Sequence, residues 1–245
     1  MKTHYRIAIM TFSLALLAVG LLRSTPGVDA AATGQIVGTV KLDGQAPHMK
    51  GIDMSKDPYC AKATASAPAH GEAVVVGANG GLQNVVLYIS EGYSGALTQT
   101  TTEPVFDQKN CVYSPHVLAV AVGQTFKVVT SDQTGHNVHP NPNPMTGNVP
   151  FNQSQPPGAA PFEKSWKAAE FIPVQCNIHP WMHAWFAVVK GPYATTDENG
   201  NYTINNVPPG SYTVTAWQET YGTQTQKVTV AAGKPAATDF SFKAK

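Results

Sequence analysis

The chain carries little charge: 13% of its 245 residues are Asp, Glu, Lys or Arg, with 16 basic side chains against 15 acidic ones. A nucleic-acid binder needs a basic face, and this balance supplies none. Past Leu22 no apolar run is long enough to span a bilayer. Apolar residues at helical spacing are nearly absent, which leaves strands as the main element. No Cys-x-x-Cys-His segment occurs, so covalent haem attachment is excluded. No acid–base pair or substrate pocket is evident, which argues against an enzyme. Cysteine is scarce too, with only Cys60, Cys111 and Cys176.

What the chain does have begins at its start. Lys2 and Arg6 precede an apolar stretch over residues 7–22, and small residues follow in Val28-Asp29-Ala30 and Ala30-Ala31-Ala32. This order predicts a secretory signal over residues 1–30 and a mature protein in the periplasm or another extracytoplasmic space, with no membrane span. Removing those residues takes away Lys2, Arg6, Arg23 and Asp29, so 16 and 15 become 13 and 14, a net charge of −1. About 215 residues remain, enough for one large or two small domains. An oxidising compartment permits disulfides, and an odd count leaves one thiol over. Cys176 sits beside His and Met residues and is the natural odd one out, so Cys60 and Cys111 are expected to pair.

Period-two alternation recurs along the chain and predicts an all-β fold. Ile36, Val40 and Leu42 share one face. Residues 74–76 and 82–89 flank Asn79-Gly80, a hairpin signal. Residues 117–122 and 125–130 are separated by Gly123-Gln124, and residues 171–175 and 185–189 flank the Cys176–His183 segment. Tyr202 and Ile204 alternate, as do Tyr212, Val214 and Ala216, then Val228 and Val230, and finally Phe240 and Phe242. Short strands at this spacing indicate a sandwich. One stretch breaks the rhythm: seven prolines lie between His136 and Pro161, which predicts a long irregular connection, beginning at His136, that covers or shapes a site.

Cys176, His179 and Met182 place a thiolate, an imidazole and a thioether within seven residues, between two expected strands. Soft sulfur with imidazole suits copper, and a trigonal His₂Cys set with a weak axial Met is the blue-copper electron-transfer arrangement. A distant histidine is then required, and His136 supplies it. Zinc sites close with Cys and His, leaving Met182 unexplained. A binuclear copper centre would need a second cysteine on the loop, and none is there. His139 and His183 each lie near a ligand position, as alternative ligands or as neighbours of the site. His116 reads as a packed or hydrogen-bonded strand histidine. Trp181, beside Pro180 at the loop tip, is expected to offer an apolar docking surface or to pack on the proline-rich connection.

Ser114-Pro115-His116-Val117 through Gly123-Gln124, then Ser131-Asp132, His136-Asn137-Val138 and Cys176-x-x-His179-x-x-Met182, resemble the plastocyanin/amicyanin cupredoxin pattern over residues 104–191. The resemblance implies one copper ion held by His136, Cys176, His179 and Met182, with Asn137 holding the cysteine loop by hydrogen bonds. A second resemblance flanks the first. Residues 34–42 and 84–89, and later 195–204 and 207–212, resemble the carboxypeptidase regulatory-like, transthyretin-like β-sandwich. Bacterial exported proteins combine these two modules. Relatives often carry His after Trp where Trp217-Gln218-Glu219 has Gln, so no role of that His carries over. Together the resemblances imply a cupredoxin Greek-key sandwich at 104–191, inserted in a sandwich built from 34–95 and 192–245. The implied activity is one-electron transfer with a separate redox protein, such as a cytochrome c or a membrane oxidoreductase. Copper storage, delivery or sensing, or a structural β protein, are the alternatives.

Overall fold

The computed structural model describes Met1, residues 32–95 and residues 102–245. Apart from Met1, the expected export signal lies outside the described residues. Among the described residues no helix is long and apolar enough to cross a membrane.

Seventeen strands, one short helix and two 3₁₀ turns make up the described chain. In order come β1 (Gly34–Asp43), helix α1 (Pro58–Ala63), β2 (Val86–Glu91), β3 (Val105–Lys109), β4 (Val112–Ser114), β5 (Val117–Ala121) and β6 (Phe126–Thr130). Then follow β7 (His136–Pro140), β8 (Gln153–Gln155), β9 (Phe162–Lys164), β10 (Glu170–Gln175) and β11 (His183–Val189). The last six are β12 (Tyr193–Thr195), β13 (Asn201–Val207), β14 (Gly210–Gln218), β15 (Gly222–Val230), β16 (Pro235–Ala237) and β17 (Phe240–Lys243). The fold is all-β, in four sheets.

Two of those sheets unite the ends of the described chain. β1 pairs antiparallel with β13, with Ile36 opposite Ile204, and parallel with β16 and β17, with Leu42 opposite Phe242. The facing sheet runs β12-β2-β14-β15. The alternation dictates which residues meet between them: Ile36, Val40, Tyr202, Ile204, Val214, Ala216, Phe240 and Phe242 are all buried there. Each buried Ile or Phe contributes about 1.5–3 kcal/mol relative to exposure. The Asn79-Gly80 turn forms, and both residues take positive φ. Its ladder, however, shrinks to a single bridge between Val76 and Leu82.

The strands between β2 and β12 form the second sandwich. The sheet β5-β11-β10-β7-β8 lies over β4-β3-β6-β9. Phe186 fills the middle, its ring 4.8 Å from Phe106 and 4.9 Å from Phe126. Cys176 and Met182 belong to the same buried cluster. β5 and β6 are nearly adjacent in sequence yet lie in opposite sheets, with Gly123 at φ 78 turning the chain between them. Where the two sandwiches meet, Phe171 stacks on Trp217 at 4.1 Å and Trp185 packs edge-on against the same indole at 5.3 Å.

The proline-rich connection departs from the expectation. His136 opens strand β7 rather than a loop, and β8 folds back on it, pairing His136 with Gln155. Pro140 ends β7 opposite Val174. Proline is tolerated there because β8 pairs only as far as Val138, and Asn141 N–H makes the next bond to β10, at Pro173 O, at 2.9 Å.

Candidate metal centre

The ligand loop is the tight connection between β10 and β11. Gln175 stands opposite His183 in the ladder, so the seven residues from Cys176 to Met182 must close over one end of the sandwich. Two backbone bonds shape the turn: Cys176 N–H donates to Met182 O at 3.2 Å, and Met182 N–H to His179 O at 2.9 Å. Cys176, His179 and Met182 are thereby turned inward, each no more than 2% exposed. His136, fully buried at the start of β7, faces them.

The two imidazoles are arranged alike. Their Nδ1 atoms face each other at 2.9 Å. Each Nε2 points away, toward a carboxylate: His136 Nε2–H donates to Asp132 Oδ2 at 2.9 Å, and His179 Nε2–H to Asp57 Oδ2 at 3.1 Å. With both Nε2 atoms committed as donors, both Nδ1 atoms are directed inward. His136, Cys176 and His179 offer ligand atoms that all lie within 4.8 Å of one another. Cys176 Sγ accepts from the backbone N–H of His179 at 3.4 Å. Asn137 Oδ1 lies 3.4 Å from the same sulfur and accepts from Asn177 N–H at 2.8 Å. Asn137 Nδ2 in turn donates to Asn152 Oδ1 at 2.6 Å, so the proline-rich connection fixes the amide that fixes the loop.

These neighbours decide where charge sits in the metal-free protein. Burial works against the Cys176 thiolate, but His136 and the backbone N–H groups of Asn137, His179 and Ile178 hold the thiol down at about 6. Burial also works against a charged His136, and Asp132 and Cys176 outweigh it, raising the ring to about 9. A thiolate beside an imidazolium is a proton-for-metal exchange site, because a bound cation takes the place of the proton.

The remaining residues singled out in the sequence fall around this centre. His139 turns aside and its Nδ1 meets Asn177 Oδ1 at 3.0 Å. His183 is exposed and lines a separate cavity of about 230 Å³ with Met182, His116, Glu72 and Glu219. His116 is a buried, bonded histidine, held by Glu219 with Glu72 at 4.0 Å. Trp181, expected to offer a docking surface or to pack on the proline-rich connection, lines the cleft beside the centre and meets a further neighbour. It is half-buried, donates its indole N–H to Cys111 O at 3.1 Å and packs on Cys60, Cys111 and Met54. The apolar side chains the loop does expose are Ile178, at 54%, and Pro180.

Sequence reading missed the segment that covers the centre. Cys60 and Cys111 are joined by a disulfide, and Cys60 Sγ lies 3.8 Å from His179 Nε2. Asp57, the N-cap of α1, lies 122 residues from the histidine it meets. Asp57-Pro58 is a helix-start signal, but nothing local connects it with His179. Asn110 and Cys111 form the turn between β3 and β4, and both take positive φ. Asp132 accepts both of their N–H groups at 2.7 Å. Beside this covering segment a cleft of about 510 Å³ opens between Asp53, Lys56 and Asp57 on one side and Ile178, Pro180 and Trp181 on the other.

Fold and site together define an all-β protein of two sandwiches with a buried His–Cys–His centre. Residues 188–243 match the carboxypeptidase regulatory-like domain family. No curated protein sequence matches the chain. Among solved structures the chain is similar to a Cu-containing nitrite reductase from Thermus scotoductus SA-01, at 18% identity over 40% of this chain and 25% of that one, with TM-score 0.33. This chain thus spans a quarter of the nitrite reductase. It is also similar to a reduced mutant of amicyanin, at 20% identity over 37% of this chain and 85% of that one, TM-score 0.31. A purple cupredoxin from Nitrosopumilus maritimus matches at 19% identity over 36% of this chain and 100% of that one, TM-score 0.30. The family match runs from the end of β11 to β17.

Proposed function

We propose that the chain is a type 1 copper protein that carries single electrons outside the cytoplasm. Cys176 as thiolate, His136 and His179 through Nδ1, and Met182 as a weaker thioether donor would hold one copper ion. When bound, the ion supplies Cu(I)/Cu(II) chemistry. The observation that carries this reading is the pair of inward Nδ1 atoms, 2.9 Å apart, with both Nε2 atoms tied to carboxylates and a depressed thiol alongside. Two facing ring nitrogens and a thiolate can take a metal cation between them once the His136 proton leaves. Met182 favours copper over zinc, which closes its sites with harder donors or thiolates.

The chain's own residues keep this set rigid. β7 fixes His136, the β10–β11 turn fixes the other three, and Asn137 ties the two together. A rigid set changes little between oxidation states, which is what fast electron transfer asks of a scaffold. The reading makes the protein a carrier rather than an enzyme. Its partner would be a separate redox protein, such as a cytochrome c or a membrane oxidoreductase, meeting it over a small transient interface. Exposed Ile178 and Pro180, beside the cleft, are the surface nearest the centre for such a meeting.

Absorption and EPR spectroscopy of the copper-loaded chain test this. The expected result is an intense visible thiolate-to-Cu(II) band, lost in Cys176→Ala. Copper bound without that band would replace the type 1 reading with storage or delivery. Failure to bind copper at all would leave a structural role.

A further inference from the structure

A metal-bound histidine commonly donates its other ring nitrogen to a carboxylate, which raises its basicity as a ligand. Here both histidines are backed in this way, from separate parts of the chain. Asp132 lies four residues before His136. Asp57 belongs to the segment between β1 and β2, outside the strands that build the centre. Its carboxylate is well anchored. Oδ1 accepts from Cys60 N–H at 2.9 Å, while Oδ2 accepts from His179 and from the Thr134 hydroxyl at 3.3 Å.

The two carboxylates are also linked to each other. Asp57 Oδ1 accepts the backbone N–H of Cys60, and Asp132 Oδ2 accepts that of Cys111, the two halves of one disulfide. Tyr59 adds a phenol O–H to Asp132 at 3.2 Å. The disulfide is thus a yoke: it holds one carboxylate behind each histidine. The cover it creates leaves His179 only 2% exposed.

We infer that Asp57 is a positioning residue for His179 that, together with Asp132, stabilises the oxidised metal over the reduced one. This rests on the type 1 copper reading. The physical cause is charge. A carboxylate hydrogen-bonded to a ligand imidazole makes that ring more electron-rich, and the gain is larger for a dication than for a monocation. The histidine side of each bond is buried and weakly screened, while Asp57 borders the open cleft and is screened more than Asp132. Both acids therefore lower the reduction potential.

The test measures the reduction potential and visible spectrum of the copper-loaded chain, wild type, Asp57→Asn and Asp57→Glu. Asp57→Asn is expected to keep the thiolate band and raise the Cu(I)-over-Cu(II) affinity ratio at least tenfold, a rise of about 59 mV for one electron. Asp57→Glu, which retains the charge, should recover most of that shift. An Asp57→Asn potential within twofold of wild type in that ratio overturns the inference. Absence of the band in the wild type would instead overturn the copper reading beneath it. A second measurement needs no variant. In ¹H–¹⁵N NMR of the Cu(I) protein, His179 Nε2–H should be shifted downfield and exchange slowly with solvent. A freely exchanging proton there overturns the inference whether or not the variants fold.

Discussion

His116 and Glu219, 103 residues apart, are bonded across the seam between the two sandwiches. His116 precedes β5 in one, and Glu219 follows β14 in the other. The same carboxylate accepts the indole N–H of Trp185 at 2.8 Å. The bond pins the second sandwich to the first beside the aromatic stack of Phe171 and Trp217.

Its strength should vary with pH. Burial works against a charged His116, but Glu219 and then Glu72 outweigh it and raise the ring above its ordinary 6.5. A raised histidine contributes stability that is whole below its unfolded value and is lost as pH rises through the folded one. Glu219→Gln should therefore cost about 1.5–3 kcal/mol at low pH, the range for a hydrogen bond to a charged group. Thermal melts should show the gap between wild type and variant narrowing as pH rises above the ordinary 6.5 and through the raised folded value. A gap independent of pH would mean His116 is neutral in the folded protein.

The Cys60–Cys111 disulfide closes a loop of 51 residues. By the chain-entropy estimate, Cys60→Ala with Cys111→Ala should lose about 4 kcal/mol. Urea unfolding of oxidised wild type against the double variant measures this. A loss below about 1 kcal/mol would show that the unfolded chain keeps this region compact without the bridge.

Asn137→Ala removes the acceptor of the Asn177 N–H and the donor to Asn152 together. Leaving such groups unpaired should cost about 1–3 kcal/mol. Copper should also leave about 10–100 times faster, the usual effect of losing a group that orients a metal ligand. Transfer of copper to a chelator gives the rate. An unchanged rate would show that the strands alone hold the loop.

In the metal-free chain the Cys176 thiolate should appear with a midpoint of about 6, well below the ordinary 9.0. Absorbance near 240 nm reports it. His136→Gln should move the midpoint upward, because it removes the group that lowers the thiol most. A midpoint left in place would transfer the effect to the backbone N–H groups.

Met182→Leu conserves volume in a buried position and should cost less than about 1.5 kcal/mol. The thiolate band should persist while the potential shifts, since a weak axial donor tunes a site that three stronger ligands hold. Loss of copper binding would make Met182 a principal ligand.

Much of the framework was legible because alternation is a local signal. Ile36, Val40 and Leu42, or Phe240 and Phe242, declare a buried face in a few consecutive residues, and the structure buries them. The loop from Cys176 to Met182 was legible for a related reason, since spacing alone places three donors on one turn. What could not be read arises between distant segments. Trp181 read as an exposed tip or as packed on the proline-rich connection, and no local pattern brings Cys60 and Cys111 against it. Asp57 caps α1 with one carboxylate oxygen and meets His179 with the other, a pairing across 122 residues that no local pattern announces. Pro140 suggested a loop, yet a strand can end on proline when its last pairing needs no donor.

β1 has its partners in β13, β16 and β17, at the far end of the chain. That separation has a kinetic meaning. Loop closure over so many residues is slow, and pairing of this kind dominates the folding time of β proteins. The strands from β3 to β11 have their partners within residues 105–189 and can associate first. Until residues 201–243 arrive, β1 remains an open edge, the kind of surface that invites pairing with another chain. Loss of β17 would thus show itself first as aggregation during folding, before any change at the His–Cys–His centre.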